Sequence, residues 1–198
     1  MASSLSVGPD VLLSLAVGLG LASAAGLRVF VPVLAAAVAG ARGLLPLDPS
    51  FWWLTSTPAL LALGTATVLE IAAYYVPWVD HALDVVATPV AVLAGMVLTA
   101  SVAVDVPPLL KWAAVLIGGG AAGLTQGASV VARIKSAALT GGLANPLVST
   151  AELAGALVVT ALAVFVPVVA LGLVLVALIL MARRIGRLAF GRRAAPPR

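Results

Sequence analysis

Cysteine is absent from this chain, so disulfides, thiolate nucleophiles and Cys-ligated metals are excluded. A single histidine, His81, rules out a zinc His-Glu-x-x-His site and leaves no well-placed base for a Ser/His pair inside a membrane. Charge is scarce as well. Only 9% of the residues are charged, against roughly 25% in an ordinary soluble domain. Neither a phosphate-cradling Gly-x-x-x-x-Gly-Lys-Ser/Thr loop nor a dinucleotide fingerprint occurs, because the Gly-rich runs lie inside apolar stretches. These absences point away from an enzyme, and no catalytic residue, metal or cofactor is expected.

What the chain has is apolar surface. Hydrophobic residues make up 63% of its 198 positions, more than a soluble globule of that size can hide, so the bilayer is the natural solvent. Nineteen glycines and abundant alanine suit helices that pack closely through small residues. The expected fold is all-α, a polytopic transmembrane bundle of about six spans forming a single domain over residues 1–182. A basic tail over residues 183–198 follows. Six of the eleven basic residues lie after Leu180, so the net charge of +4 resides mostly there. Arginines directly after an apolar helix read as a cytoplasmic flank held near anionic lipid. Nucleic acid is not an expected partner, because only Phe190 interleaves with those arginines. The expected location is the inner (plasma) membrane, multi-pass, with the C-terminus in the cytoplasm. The start, MASSLSVGPD, carries no Lys or Arg, unlike a signal peptide, so the first helix is expected to be retained.

The first apolar run, Val11 to Gly40, is about 45 Å long if helical, too long for a hydrocarbon core of about 30 Å. It is expected to tilt or to break near Gly26–Pro32. Phe51, Trp52 and Trp53 then read as an interfacial anchor. The second span, Ala59 to Val76, carries Glu70. Pro77 ends it, and WVDHALD follows as a short polar turn or surface helix in which Asp80, His81 and Asp84 offer themselves to a cation. The third span is expected over Val85–Val104. The fourth opens at Lys111 and is expected to break within Gly118–Gly123. The fifth begins near Pro146 and carries Glu152 in its second turn. A short sixth covers Val168–Met181, after a linker SAALTGGLANP between spans four and five.

An ionised carboxylate in hydrocarbon needs a partner, a water-filled cavity or a proton. Glu70 and Glu152 are therefore the leading candidates for an ion- or solute-binding site, with Arg28 as counter-charge and Asp80 and Asp84 at the nearby turn. Tyr74, Thr125, Gln126, Asn145 and Ser149 are the polar residues at matching depth expected to line a cavity. A Glu near a helix start also serves as a cap or dipole partner, a reading that competes for Glu152. It is weaker for Glu70, late in its helix.

A weak internal repeat accompanies these acids. Ala24-Ala25-Gly26-Leu27 recurs as Ala121-Ala122-Gly123-Leu124, and each copy precedes a Pro-initiated span holding one Glu. This suggests a 3+3 inverted repeat with halves at about residues 10–104 and 108–182 and with broken first and fourth helices. Both glutamates would then sit about 10 Å in from the cytoplasmic face. Should they face one another, like charge would favour a proton on one of them.

With these residues in place, the chain resembles a bacterial membrane family catalogued as domain of unknown function 4126. The resemblance is carried by Ala25–Arg28 with Pro32, by Glu70, by Val76-Pro77 with Asp80 and Asp84, and by Asn145-Pro146 with the Ser149–Glu152 turn. It covers roughly Leu12 to Val169. Tyr74-Tyr75 stand where the family commonly has an Asp-Lys pair, and Leu153 where an acid often follows the second Glu. The resemblance implies a multi-span inner-membrane protein and supplies no activity. The Asp-x-x-x-Asp of Asp80–Asp84 is similar to the end of the CDP-alcohol phosphotransferase signature, but the preceding Asp-Gly-x-x-Ala-Arg element is missing.

The resulting expectation is a small secondary transporter or channel-like permease for an ion or small solute, with a homodimer as one way to complete its pathway. The alternatives are a non-transporting membrane scaffold and a lipid-handling protein.

Overall fold

The structure is a computed structural model that describes residues 8–190, with side chains described outside 77–85 and 184–190. Among the described residues it contains helices and no strand. Seven α-helices follow one another: α1 Pro9–Ala25, α2 Phe30–Ala41, α3 Thr57–Ala73, α4 Pro77–Val102, α5 Pro108–Thr140, α6 Asn145–Phe165 and α7 Pro167–Phe190, with a 3-10 helix at Pro49–Thr55 before α3. Proline sits in the first turn of α1, α3, α4, α5 and α6, where its missing N–H costs nothing.

The distribution of residue types is inverted relative to a soluble domain. Leu61, Val68, Leu116, Ile117, Leu157 and Phe165 are exposed, while Arg28, Gln126, Arg133 and Glu152 are buried. Water would penalise both halves of that arrangement; hydrocarbon outside and a polar centre inside satisfy both. By length and composition α5 and α6 are each able to cross a membrane, and a third span results if the 3-10 helix and α3, bent by 66°, count as one. The protein is accordingly membrane-associated. Trp52 and Trp53 lie exposed on that 3-10 helix, where Asp48 caps Ser50.

Helix α1 is the hub, packing on α2, α4, α5, α6 and α7. Small residues make this possible. A Cβ on Gly20 would lie 2.8 Å from Ala163 of α6, and one on Gly26 would lie 2.3 Å from the Ala122 carbonyl oxygen of α5. The second of these is a contact between the two Ala-Ala-Gly-Leu copies. By contrast α3 lies at the rim, with Thr67 as its one described buried residue.

The first long run does leave the helix, between Ala25 and Phe30. The fourth does not: α5 is continuous through Gly118–Gly123 for 33 residues, which corrects the expected break. Those glycines serve close approach instead. A Cβ on Gly118 would lie 3.1 Å from the Gly95 carbonyl oxygen of α4, and one on Gly119 would meet Met96 at 2.6 Å. Because α5 keeps every turn, a packing groove for α4 replaces the kink. Two shorter corrections follow. WVDHALD is helical, but as the opening of α4, continuous with the third span instead of a separate turn or short surface helix, and α5 extends to Thr140, leaving a linker that begins at Gly141 in the left-handed conformation (φ 63°). The side chains of Asp80, His81 and Asp84 lie outside the described ones.

Two expectations test this packing. Gly26→Ala should disrupt α1 against α5 and cost about 3 kcal/mol by overpacking, whereas Gly120→Ala, with nothing within 4 Å of its Cβ, should be neutral or slightly stabilising; thermal denaturation in detergent compares them. Outside the bundle, the Lys111 ammonium sits 2.5 Å from Asp48 and holds that carboxyl below the ordinary carboxylate range. A depressed carboxyl stabilises the fold above its unfolded pKa and loses that contribution as pH falls through its folded one. Asp48→Asn should therefore melt about 2 °C lower near neutral pH and match the parent protein at strongly acidic pH.

Candidate functional site

The four residues between α1 and α2, Gly26 to Val29, place a charge where a helix is interrupted. Gly26 lets the turn lie against the α5 backbone, and Arg28 follows at once, 2% exposed. The break leaves the first amides of α2 without helical partners. Glu70, in the last turn of α3, supplies them: its Oε1 accepts from Val29 N at 2.7 Å and its Oε2 from Phe30 N at 3.0 Å. A carboxylate at a helix N-terminus satisfies two orphan donors and meets the positive end of the helix dipole. Capping is thus the geometry found for Glu70, although the helix it caps is not its own.

Glu152 is held differently. Ser129 and Arg133, one turn apart on α5, both point at it: Ser129 Oγ donates to Oε1, Arg133 Nε donates to Oε1 at 3.2 Å, and Arg133 Nη2 donates to Oε2. Arg28 Nη2 lies 3.5 Å from the same Oε2 and donates to the Ser149 carbonyl oxygen at 2.8 Å. Glu152 is 7% exposed and Arg133 3%, so among the described side chains this is a buried carboxylate shared by two guanidinium groups. The dipole reading of Glu152 gives way to these side-chain pairs.

The expected meeting of the two acids takes another form. Among the described residues they do not bond to each other; Arg28 pairs with Glu152 and is also drawn electrostatically by Glu70. Tyr74 closes the arrangement, with the Arg28 guanidinium 3.8 Å and the Arg133 guanidinium 4.2 Å from its ring centroid. Cation–π contact of this kind compensates guanidinium surface that would otherwise be bare. Arg28 Nε and Nη1, which have no hydrogen-bond partner, are the atoms most in need of it.

A cavity adjoins each acid. One of about 510 Å³ lies among α1, α5, α6 and α7 and reaches Glu152, Ser129, Thr125 and Ser23. The other, about 380 Å³, lies among α2, α3 and α4 and reaches Glu70 and Tyr74. Thr125 and Tyr74 thus line cavities, while Gln126, Asn145 and Ser149 are buried and line neither. No group of three or more His, Asp or Glu comes together among the described residues. Arg133 and Ser129 are not among the site residues expected from the sequence; their four-residue spacing on one helical face is the available signal.

A family model described as Domain of unknown function (DUF4126) matches residues 15–187, and the chain belongs to that family. No curated protein and no solved structure matches the chain.

Charge-neutralising substitutions separate the two acids. Glu152→Gln removes the charge with which two buried guanidinium groups pair and should cost about 3–5 kcal/mol. Glu70→Gln keeps one carbonyl acceptor for the α2 amides and should cost about 1 kcal/mol. Tyr74→Leu, which removes the ring beneath both guanidinium groups, should be clearly destabilising, read from thermal unfolding in detergent.

Proposed function

We propose that this member of the DUF4126 family is a small permease of the inner membrane, a secondary transporter or channel-like protein that passes an ion or small solute across a buried charged centre. The observation that carries the reading is the Arg28–Glu152–Arg133 cluster beside the Glu70-capped break, with a cavity on each acid. A broken helix whose N-terminus faces a carboxylate is the kind of backbone found where transporters bind their cargo. Paired as they are, these charges are too costly in hydrocarbon to be idle ornaments of a span.

Six spans support the same reading if α1 and α2 form one broken span, followed by α3, α4, α5, α6 and α7. The halves correspond loosely: in each, the acid sits on the helix after the Ala-Ala-Gly-Leu run and grips that run's distal part, Glu70 at α2 and Glu152 at Ser129 and Arg133. An inverted repeat would account for this and for the contact of the two quartets. An even number of spans puts both termini on one side, and the arginines after Leu180 place that side in the cytoplasm. No enzymatic step is part of this proposal.

One observation favours the scaffold alternative: the oxygens of both carboxylates are engaged by groups of the fold itself. Reconstitution separates the two. Proteoliposomes under an imposed pH gradient, with sodium, potassium or chloride supplied in turn, should dissipate the gradient faster than protein-free vesicles, and Glu70→Gln should abolish the difference. If the protein-loaded vesicles behave like empty ones under every condition, the permease reading falls and the scaffold reading stands.

A further inference from the structure

The larger cavity has a chemistry of its own. Its body is apolar, with Leu27 from the α1–α2 break, Val159 from α6, and Leu173 and Met181 from α7. Its polar end is made of three hydroxyls and one carboxylate, and their hydrogen-bond states can be counted. Ser129 spends its proton on Glu152, and Thr125 spends its own on the Ala121 carbonyl oxygen, so each offers only lone pairs. Ser23 is 6% exposed and its hydroxyl has no partner at all. A buried hydroxyl left unpaired is costly unless something pairs with it. The cavity therefore presents one free O–H donor next to two free acceptors.

Charge narrows the occupant further. Among the described residues Glu152 is the one charged residue on the wall, and Ser129, Arg133 and Arg28 already engage its oxygens. An anionic head entering here would face that carboxylate. A cationic head would have to compete with Arg133 and Arg28 for Glu152. An uncharged head that both donates and accepts meets neither obstacle. The volume of about 510 Å³ falls within the range of small-molecule pockets.

We infer that the cavity among α1, α5, α6 and α7 binds an uncharged amphiphile from the membrane, a hydrocarbon chain bearing a hydroxyl head that accepts from Ser23 and donates to Thr125 or Ser129. As a binding site this stands alone; as the identity of a transported solute it rests on the permease reading above.

The test uses the full-length protein in nanodiscs and a long-chain alcohol carrying a photoreactive diazirine, with labelled residues mapped by mass spectrometry. Labelling should fall on the α5 and α7 residues around the cavity. Unlabelled alcohol should compete, while the carboxylic acid and the amine of equal chain length compete about tenfold less well, a difference of about 1.4 kcal/mol. Ser23→Ala should weaken competition by the alcohol about fivefold, the worth of one neutral hydrogen bond. Ala177→Phe, which fills the cavity, should remove the labelling; should that variant fail to fold, Ser23→Ala and the head-group series decide. Equal competition by all three heads, or labelling indifferent to Ser23→Ala, overturns the inference. Cavity labelling without any facilitated flux in proteoliposomes keeps the site and removes the permease reading, and facilitated ion flux without cavity labelling does the reverse.

Discussion

The buried charge at the centre of this bundle is one carboxylate held by two guanidinium groups where water is largely excluded. Glu152, Arg133 and Arg28 are each less than a tenth exposed. Removing three charges from water costs more than their attraction returns unless the remaining donors and acceptors are also satisfied. The fold satisfies most of them with Ser129, with the Ser149 carbonyl and with the Tyr74 ring. These partners come from α3's end, α5 and α6, and Arg28 comes from the break between α1 and α2. The cluster thus fixes how four parts of the chain meet, and helices that share no hydrophobic driving force in lipid gain a specific register from it.

The break and the cluster depend on each other. Were α1 to continue through Arg28, the amides of Val29 and Phe30 would need no external acceptor, and Glu70 would be left as an unpaired acid at the bundle's rim. With the helix interrupted, those amides and that acid answer one another. Gly26 is what allows the interruption to sit flush on α5, because any larger residue would collide with the Ala122 carbonyl. A backbone feature, a capping carboxylate and a buried cation are therefore one structural unit rather than three.

Much of this unit was legible in the sequence, because hydrocarbon makes charge conspicuous. Arg28, Glu70 and Glu152 stand out in apolar runs, and the length of Val11–Gly40 with Gly26 and Pro32 announces a break. The same signals misled at α5. Three successive glycines can mark either a broken helix or a groove for a neighbour, and only the position of α4, with Gly95 and Thr99 against Gly118, decides for the groove. Arg133 was hidden for a related reason. A cation toward the end of a long apolar helix matches the charge bias of cytoplasmic loops, and nothing local reveals that α5 runs far enough to bring it back to Glu152. The direction of Glu70 was equally out of reach, since a cap supplied by another helix leaves no spacing in the chain to read.

The unequal treatment of the two acids bears on which of them can change state. Glu152 accepts from the Ser129 hydroxyl and from Arg133 and is paired with Arg28, so altering it removes a carboxylate that two buried cations share. Glu70 meets only backbone amides and borders a cavity, with Arg28 acting on it at longer range. Loss of its charge would weaken a cap worth about 1 kcal/mol without leaving a cation unpaired. Under the permease reading, the acid whose release is cheap is the one placed at the gap between two half-helices, and the acid whose release is expensive is the one that anchors the rest. The geometry thus divides the two glutamates into a fixed point and a movable contact, an asymmetry that a pair of equivalent acids sharing one depth could not have provided.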